Sequence, residues 1–170
     1  MFSSKVSQKL FDSACQAPKL EALSVKWSSV ESLAGIRDAT KLKSLFLGSS
    51  PAITDLSPLV SLNDLAYLFI ENVAAPVNLE FLRNINGLKE FGLSAARGRK
   101  IKVVSLDPIA SASQLEMLWL VSLKIRDSEL RVLHSLHNLK SLRSTLRQDS
   151  KEFKDLCEAI PTLQYFQPVG

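Results

Sequence analysis

The sequence predicts an α/β solenoid in which short parallel strands alternate with helical return segments. Three observations lead to this fold class. A six-residue unit with Leu at its first position and apolar residues, mostly Leu, Val or Ile, at its fourth and sixth recurs seven times in 170 residues. The units recur at a nearly constant spacing, and apolar residues recur at helical spacing between them. Such a period is typical of a solenoid, because one unit cannot bury its apolar face alone and stacks on its neighbours.

Each six-residue unit is predicted to form one strand of a parallel sheet. Side chains of an extended chain alternate between two faces, so positions four and six point into the core and positions three and five point outward. Seven strands about 4.8 Å apart span roughly 29 Å. A slip of one residue would expose the leucines, which the sevenfold pattern argues against. The units are 20–25, 42–47, 65–70, 88–93, 115–120, 139–144 and a degraded last copy at 163–168.

The return segments carry apolar residues at spacings of three and four, which place them on one helical face directed at the core. Ser57 and Asp107 precede Pro and are predicted helix caps. Asp149 with Glu152 is a predicted capping box. The final repeats are longer, which predicts fuller helices there than in the second repeat.

The whole chain, 1–170, is interpreted as one domain. Residues 1–19 are predicted to form an N-terminal helical cap, and residues 20–168 hold the seven repeats, the last incomplete. Pro168 cannot donate to a sheet ladder and is expected to blunt the exposed edge of the last strand. These ends favour a complete domain, with a fragment of a longer repeat protein as the alternative.

Over residues 20–168 the unit and its period resemble the leucine-rich repeat proteins. The short repeats resemble the bacterial class that includes the internalins, above all in the run Ile53-Thr54-Asp55-Leu56-Ser57-Pro58-Leu59. The resemblance implies a right-handed horseshoe with a concave parallel sheet, short helical or 3-10 return segments on the convex side, and a role in protein recognition. The family's Asn or Cys, eight residues after the first Leu, is missing, so we expect less regular repeats. Its positions hold Ser28, Ser50, Val73, Ala96, Leu123 and Arg147.

Composition and charge narrow the function classes. The chain is 46% apolar and 22% charged, and its net charge of +4 is too small for the basic footprint of a nucleic-acid-binding protein. Cys15 and Cys157 lie near opposite ends of the predicted solenoid, too far apart to bridge, and are interpreted as buried thiols in a reducing compartment. Since the first ten residues contain no apolar stretch like that of a signal peptide, and no apolar run could cross a membrane, we predict a cytoplasmic, bacterial protein.

Catalytic motifs are missing from the sequence. His134 and His137 could offer two metal nitrogens, and Asp127 and Glu129 precede them, but no third ligand is evident in that segment. Solvated or helix-end histidines are the favoured interpretation. Because there is no nucleophile elbow, phosphate-binding glycine loop or zinc-type cysteine spacing, we predict no enzymatic activity, no cofactor and no metal site.

The outward strand positions predict a protein-binding surface. They carry an apolar patch of aromatic residues and Met, the residue types enriched in interface cores and among hot spots. Four aromatic side chains burying about 150–250 Å² each would supply roughly 600–1,000 Å², close to the about 800 Å² per partner of a standard interface. A homodimer through the patch, or packing of the chain against its own patch, are the alternatives. The predicted contact residues are Trp27, Phe46, Tyr67, Phe69, Glu71, Glu90, Gly92, Met117, Trp119, Arg143 and Tyr165.

Two local features refine this prediction. Gly92 is hypothesised to leave a slot between Phe69 and Trp119 for a partner side chain, against the alternative of a glycine tolerated at an exposed position. The longest repeat carries a basic loop that could steer an acidic partner, against the alternative of a solvated insertion. That loop contains Arg97, Arg99, Lys100 and Lys102.

The sequence therefore predicts a non-enzymatic protein-binding module. Inhibition of an enzyme or toxin, as by an immunity protein, is its role by analogy. A structural or regulatory fragment or adaptor of a larger repeat protein is the competing function, while nucleic-acid and membrane binding are disfavoured.

Overall fold

The computed structural model describes residues 6–96, 98–144 and 148–166, with the backbone alone for Asp127. Seven parallel strands form one sheet, and their order across the sheet is their order along the chain. Two short strands pair separately in a small parallel sheet. The strands are β1 (Ala22–Lys26), β2 (Ser44–Gly48), β3 (Tyr67–Glu71), β4 (Glu90–Ser94), β5 (Ile101–Lys102), β6 (Met117–Val121), β7 (Leu123–Lys124), β8 (Ser141–Ser144) and β9 (Gln164–Phe166). The small sheet is β5 with β7.

Register is constant along the large sheet from β1 to β8. Each position of the six-residue unit pairs with the same position of the next unit, as in Leu45 with Leu68 and Leu118 with Leu142. The residues at position four are buried, whereas their neighbours at positions three and five lie on the open face. The predicted parallel sheet, with its leucines directed inward, is therefore confirmed.

The last strand departs from the predicted register by one residue. β9 pairs Tyr165 with Leu142 and Phe166 with Arg143, so Tyr165 takes the inward position that we assigned to Phe166. The Tyr165 ring packs edge-on against Phe153 with centroids 4.6 Å apart, and its hydroxyl donates to the carbonyl of Ser144 at 2.8 Å. Placing Tyr165 on the open face was therefore wrong, because its ring fills the core while its hydroxyl reaches a backbone acceptor. Pro168 lies outside the described residues.

The return segments are helical, as predicted, and they lengthen toward the end of the chain. Four of the 3-10 helices contain five residues, while the fifth and the last α-helix contain nine each. The shorter repeats leave room for little more than one tight turn after the strand. The helices are α1 (Gln8–Cys15), α2 (Lys151–Ala159) and the 3-10 segments Ala34–Asp38, Ser57–Ser61, Glu80–Asn84, Asp107–Ser111 and Asp127–Ser135.

The predicted caps are displaced from the residues that perform the task. Ser57 is the first helical residue, and its backbone N–H donates to Asp55 Oδ1 at 2.8 Å. Asp107 likewise begins its helix, and its N–H donates to Ser105 Oγ at 3.0 Å. The side chain two residues upstream satisfies the first donor in both cases, in the manner of an Asx or Ser turn.

At the two α-helices serine is the capping residue. Ser150 Oγ accepts from the N–H of Phe153 at 3.2 Å, so Ser150 caps α2, and the capping box predicted at Asp149 with Glu152 was wrong. Ser7 Oγ accepts from the third N–H of α1 at 3.3 Å. The predicted N-terminal helix thus lies at Gln8–Cys15, and residues 1–5 lie outside the described part.

The missing asparagine ladder does not disturb the sheet. Ser28 Oγ and Ser50 Oγ lie 2.6 Å apart in a buried hydrogen bond, so two serines form a short ladder of their own. Val73 and Leu123 continue the column as buried apolar residues. The expected irregularity was therefore wrong for the sheet, since apolar packing replaces the ladder in the middle repeats. Among the described helices, none is long and apolar enough to cross a membrane.

Candidate functional site

The open face of the large sheet brings most of the predicted contact residues together. Parallel pairing aligns Phe46, Phe69, Gly92, Trp119 and Arg143 in one row across five strands. The neighbouring row contains Ser44, Tyr67, Glu90, Met117 and Ser141. We call Phe46, Tyr67, Phe69, Met117 and Trp119 the aromatic patch. Tyr67 is 40% exposed, and the other four are half-buried.

Two rings of the patch close the space above Gly92. Phe69 and Trp119 meet edge to face, with centroids 5.0 Å apart and an interplanar angle of 76°. A Cβ at Gly92 would lie 2.7 Å from Phe69 Cε1 and closer still to Cδ1, so the ring covers the bare backbone. The hypothesis of an open slot for a partner side chain was therefore wrong. Without a Cβ on the strand between them, the two rings lean together rather than stand apart.

Phe46 rests on a second glycine. A Cβ at Gly48 would lie 2.5 Å from Phe46 Cε1 and 3.3 Å from Lys26 Cγ. Both phenylalanine rings thus lie low over glycine backbone instead of projecting fully into solvent. A shallow hollow of about 230 Å³ remains beside them, bordered by Glu71 and Trp119.

Charged side chains surround the patch with both signs. The Arg143 guanidinium carbon lies 5.3 Å from the centroid of the Trp119 ring, within the range of a cation–π contact. Glu71 and Glu90 are half-buried on the same face. The centre of the surface is therefore apolar and its borders offer directional polar contacts.

Trp27 ends the first strand in an unusual backbone conformation. Its φ is +53°, in the left-handed region that bulky L-residues rarely adopt. The equivalent residues after later strands are Ser49, Asn72 and Ser122, which share the positive φ and are small and polar. The Trp27 side chain is 60% exposed, with the Lys26 ammonium 5.0 Å from its ring centroid. A large ring therefore occupies the position at which the fold favours Asn or Gly.

The sequence analysis missed one residue of this face. Phe166 pairs with Arg143 and extends the first row by one strand, and its side chain is 50% exposed. Tyr165, which we had placed here, lies in the core instead. Starting the last unit one position earlier, at Thr162, reproduces the spacing of the second, third and fourth units and would have found the correct register.

The basic loop lies away from this face. Lys102 belongs to the small sheet, and Arg99 and Lys100 precede it as exposed residues. Arg97 lies outside the described residues. The structure brings Lys124 of β7 next to Lys102, a pairing that the sequence analysis did not anticipate.

The residues with catalytic or metal-binding potential remain dispersed. His134 is half-buried, with no hydrogen-bond partner for its buried Nε2 in the described structure, and His137 is exposed. In the described part of the chain, no three His, Cys, Asp or Glu side chains are grouped to hold a metal ion. Burial, with Asp12 and Asp38 nearby, raises the pKa of Cys15 to about 12, and burial also raises the pKa of Cys157. Neither thiol is therefore an activated nucleophile at neutral pH.

Stacked parallel strands with buried leucines and short helical returns define the leucine-rich repeat fold. Two solved structures are similar to this chain. Internalin C2 of Listeria monocytogenes has a TM-score of 0.64 and 23% identity over 86% of this chain. A leucine-rich repeat protein of Leptospira interrogans has a TM-score of 0.63 and 16% identity over 85% of the chain. The predicted resemblance to internalin-like leucine-rich repeat proteins is thus confirmed at the level of the fold.

These similarities concern the fold alone, because both identities are low. The chain spans 60% of the length of the internalin structure and 36% of the Leptospira structure. No protein-family model matches the sequence, and no curated protein matches it.

Proposed function

We propose that the chain is a non-enzymatic protein-binding module that recognises a partner protein through the open face of its sheet. The observation that carries this proposal is the row of aromatic rings on a face where the leucine-rich repeat pattern leaves side chains in water. Large aromatic residues on an open sheet face, bordered by charges of both signs, have the composition of an interface core with a polar rim.

The described residues give little support to the alternative in which the chain covers its own patch. Elements in close contact are neighbours along the solenoid, and no described terminal segment packs on the row of Phe46, Phe69 and Trp119. Trp27, Tyr67 and Phe166 are among the most exposed large apolar side chains. A partner, or a second copy of the chain, is therefore the occupant to consider.

The packing of the rings lowers the area that the patch can offer. Since Phe46 and Phe69 already bury part of their surface on Gly48 and Gly92, roughly half of the 150–250 Å² of each aromatic side chain remains available. Four such rings supply about 300–500 Å², short of the about 800 Å² per partner in a standard interface. A stable complex therefore also needs Trp27 or Phe166 at the ends of the row.

The test is affinity capture with the natural chain and a Phe69→Ala/Trp119→Ala variant. We expect one specific protein to be lost from the variant's eluate and kept by Val104→Ala, a matched control at a 57% exposed apolar residue outside the patch. Circular dichroism checks that each variant is folded, and sedimentation of the purified chain tests the homodimer. If the double variant captures the same proteins as the natural chain, the open face is not the binding surface.

Inhibition of an enzyme or toxin in the cytoplasm is the finer form of this proposal. A rigid sheet face orders few groups on binding, which favours tight complexes with a folded target. The free thiols Cys15 and Cys157 support a reducing compartment. Adding the captured protein to the chain in an activity assay tests inhibition, and cell fractionation tests the compartment.

An adaptor or a piece of a longer repeat protein is the second candidate. The observation that favours it is length, because the chain spans only 60% and 36% of two structures with the same fold. Reading the gene on both sides of this sequence decides between the two, since further repeats in the same reading frame would support the adaptor.

A further inference from the structure

The small sheet places two lysines directly opposite each other. β5 and β7 pair in parallel, with Ile101 opposite Leu123 and Lys102 opposite Lys124. Ile101 and Leu123 are buried, so the next residue of each strand faces outward, and both lysines are exposed. Adjacent strands lie about 4.8 Å apart, and like charges directly opposite one another destabilise a strand pair. An anionic partner would relieve this repulsion.

Three further cations extend the lysine pair into a basic groove. Lys100, Lys102, Lys124 and Arg126 line one hollow of about 650 Å³, and Arg99 joins Lys100 and Lys124 along a second of about 370 Å³. The two hollows share Lys100 and Lys124, so they form one surface on either side of the small sheet. We call the five cations and their apolar neighbours the basic groove.

The groove lacks the carboxylates that accompany cations elsewhere in the protein. Among the described side chains, Arg126 is the one cation of the five with an ion pair, at 3.4 Å from Glu129. Outside the groove, Lys43 and Lys140 each form an ion pair with a carboxylate on a neighbouring repeat. Within the described structure, four cations of the groove are therefore left for an external acid.

The walls of the groove favour one class of anion. Val103, Val104, Leu123 and Ile125 line it between the cations, and Val104 is more than half exposed. No aromatic ring of the described residues lines either hollow, so the groove lacks the stacking platform on which single-stranded nucleic acids bind. Alternating apolar and cationic contacts match a chain that alternates apolar and acidic side chains.

We propose that the basic groove binds an acidic, partly apolar segment of a protein. The inference rests on the proposed function in that its ligand is a protein, but it uses a different surface. The groove shares no residue with the aromatic patch, so the two sites can be tested apart.

The test is fluorescence anisotropy with a labelled peptide of four Glu-Leu repeats at low salt. We expect saturable binding that a Lys102→Glu/Lys124→Glu variant weakens at least tenfold. The matched control, Lys89→Glu/Lys154→Glu, changes the net charge equally at two exposed lysines outside the groove. It should weaken binding less than threefold. Raising the salt to 0.5 M should also weaken binding, because exposed charges are then screened.

Four outcomes would overturn the proposal: no binding by the natural chain, equal loss in both double variants, tighter binding of an octaglutamate without leucine, or tighter binding of a single-stranded oligonucleotide. A Phe69→Ala/Trp119→Ala variant should bind the peptide as the natural chain does. Peptide binding that persists while the open face captures no partner would reject the proposed function and leave the groove standing.

Discussion

Gly92→Ala tests how the open face is built. The new Cβ would lie 2.7 Å from Phe69 Cε1 and 3.2 Å from its Cγ, well inside the contact distance of about 3.5–4.0 Å between carbon atoms. Because these atoms belong to a ring held against Trp119, the ring must rotate away rather than shift slightly. The substitution should therefore break the edge-to-face contact at 5.0 Å.

The expected loss of stability follows from three opposing effects. Inserting a methyl group into a packed site costs about 1–3 kcal/mol, and the lost aromatic contact adds about 0.5–1.5 kcal/mol. Replacing Gly by Ala restricts the unfolded chain and returns about 0.4–1 kcal/mol. The free energy of unfolding should fall by roughly 1–3 kcal/mol for Gly92→Ala.

Urea unfolding followed by tryptophan fluorescence measures this change, and Gly87→Ala is the matched control. A Cβ at Gly87 would have its nearest neighbour, the Leu65 carbonyl oxygen, at 3.9 Å, so that variant should stay within about 0.5 kcal/mol of the natural chain. In a Phe69→Ala background the penalty at Gly92 should vanish, since the two residues share one contact. Equal stability of the two alanine variants, with unchanged Trp119 emission, would refute the ring arrangement.

Three further predictions concern other sites. Trp27→Asn relieves most of the roughly 1–2 kcal/mol cost of a left-handed backbone and loses an exposed cation–π contact worth about 0.5–1 kcal/mol. Its urea midpoint should hold or rise while partner affinity falls, and a clear loss of stability would contradict this. The raised pKa of Cys15 keeps its proton in the folded state, so stability should fall as pH rises from about 9 toward 12. Thermal melts of Cys15→Ala should lack that slope, and an unchanged slope would exclude the thiol as its cause. Tyr165→Phe should cost about 0.5–1.5 kcal/mol by removing its hydrogen bond, whereas Phe166→Ser should change stability by less than about 0.5 kcal/mol; the reverse order would contradict the register of β9.

The sequence could predict the sheet because each unit repeats the same anchors. Leu45, Leu68 and Leu118 are aliphatic residues flanked by outward positions, so the period of two has one solution. In the last unit Tyr165 and Phe166 are adjacent aromatic residues, either of which can face the core. There the pattern is ambiguous, and a hydroxyl within reach of a backbone carbonyl decides the register.

The site could be located from sequence but its shape could not. Row membership follows from strand pairing, so the outward position of Phe69 and Trp119 was predictable. Their mutual contact depends on rotamers that Gly92 permits, and a missing Cβ does not reveal which neighbour takes the space. The basic groove escaped prediction because Lys102 and Lys124 belong to different repeats, and only the pairing of β5 with β7 brings them together.

The constant register from β1 to β8 has a consequence for how such a protein can change. Residues 42–64 make one full period, and Ser44 and Tyr67 occupy the same position in their strands. Excising or duplicating that block would reconnect the chain in phase, since each turn touches only its neighbours. The binding surface could thus be shortened or extended in steps of about 4.8 Å, with a new set of side chains brought in at every step. Modular growth of this kind would let the width of the surface follow the size of its target.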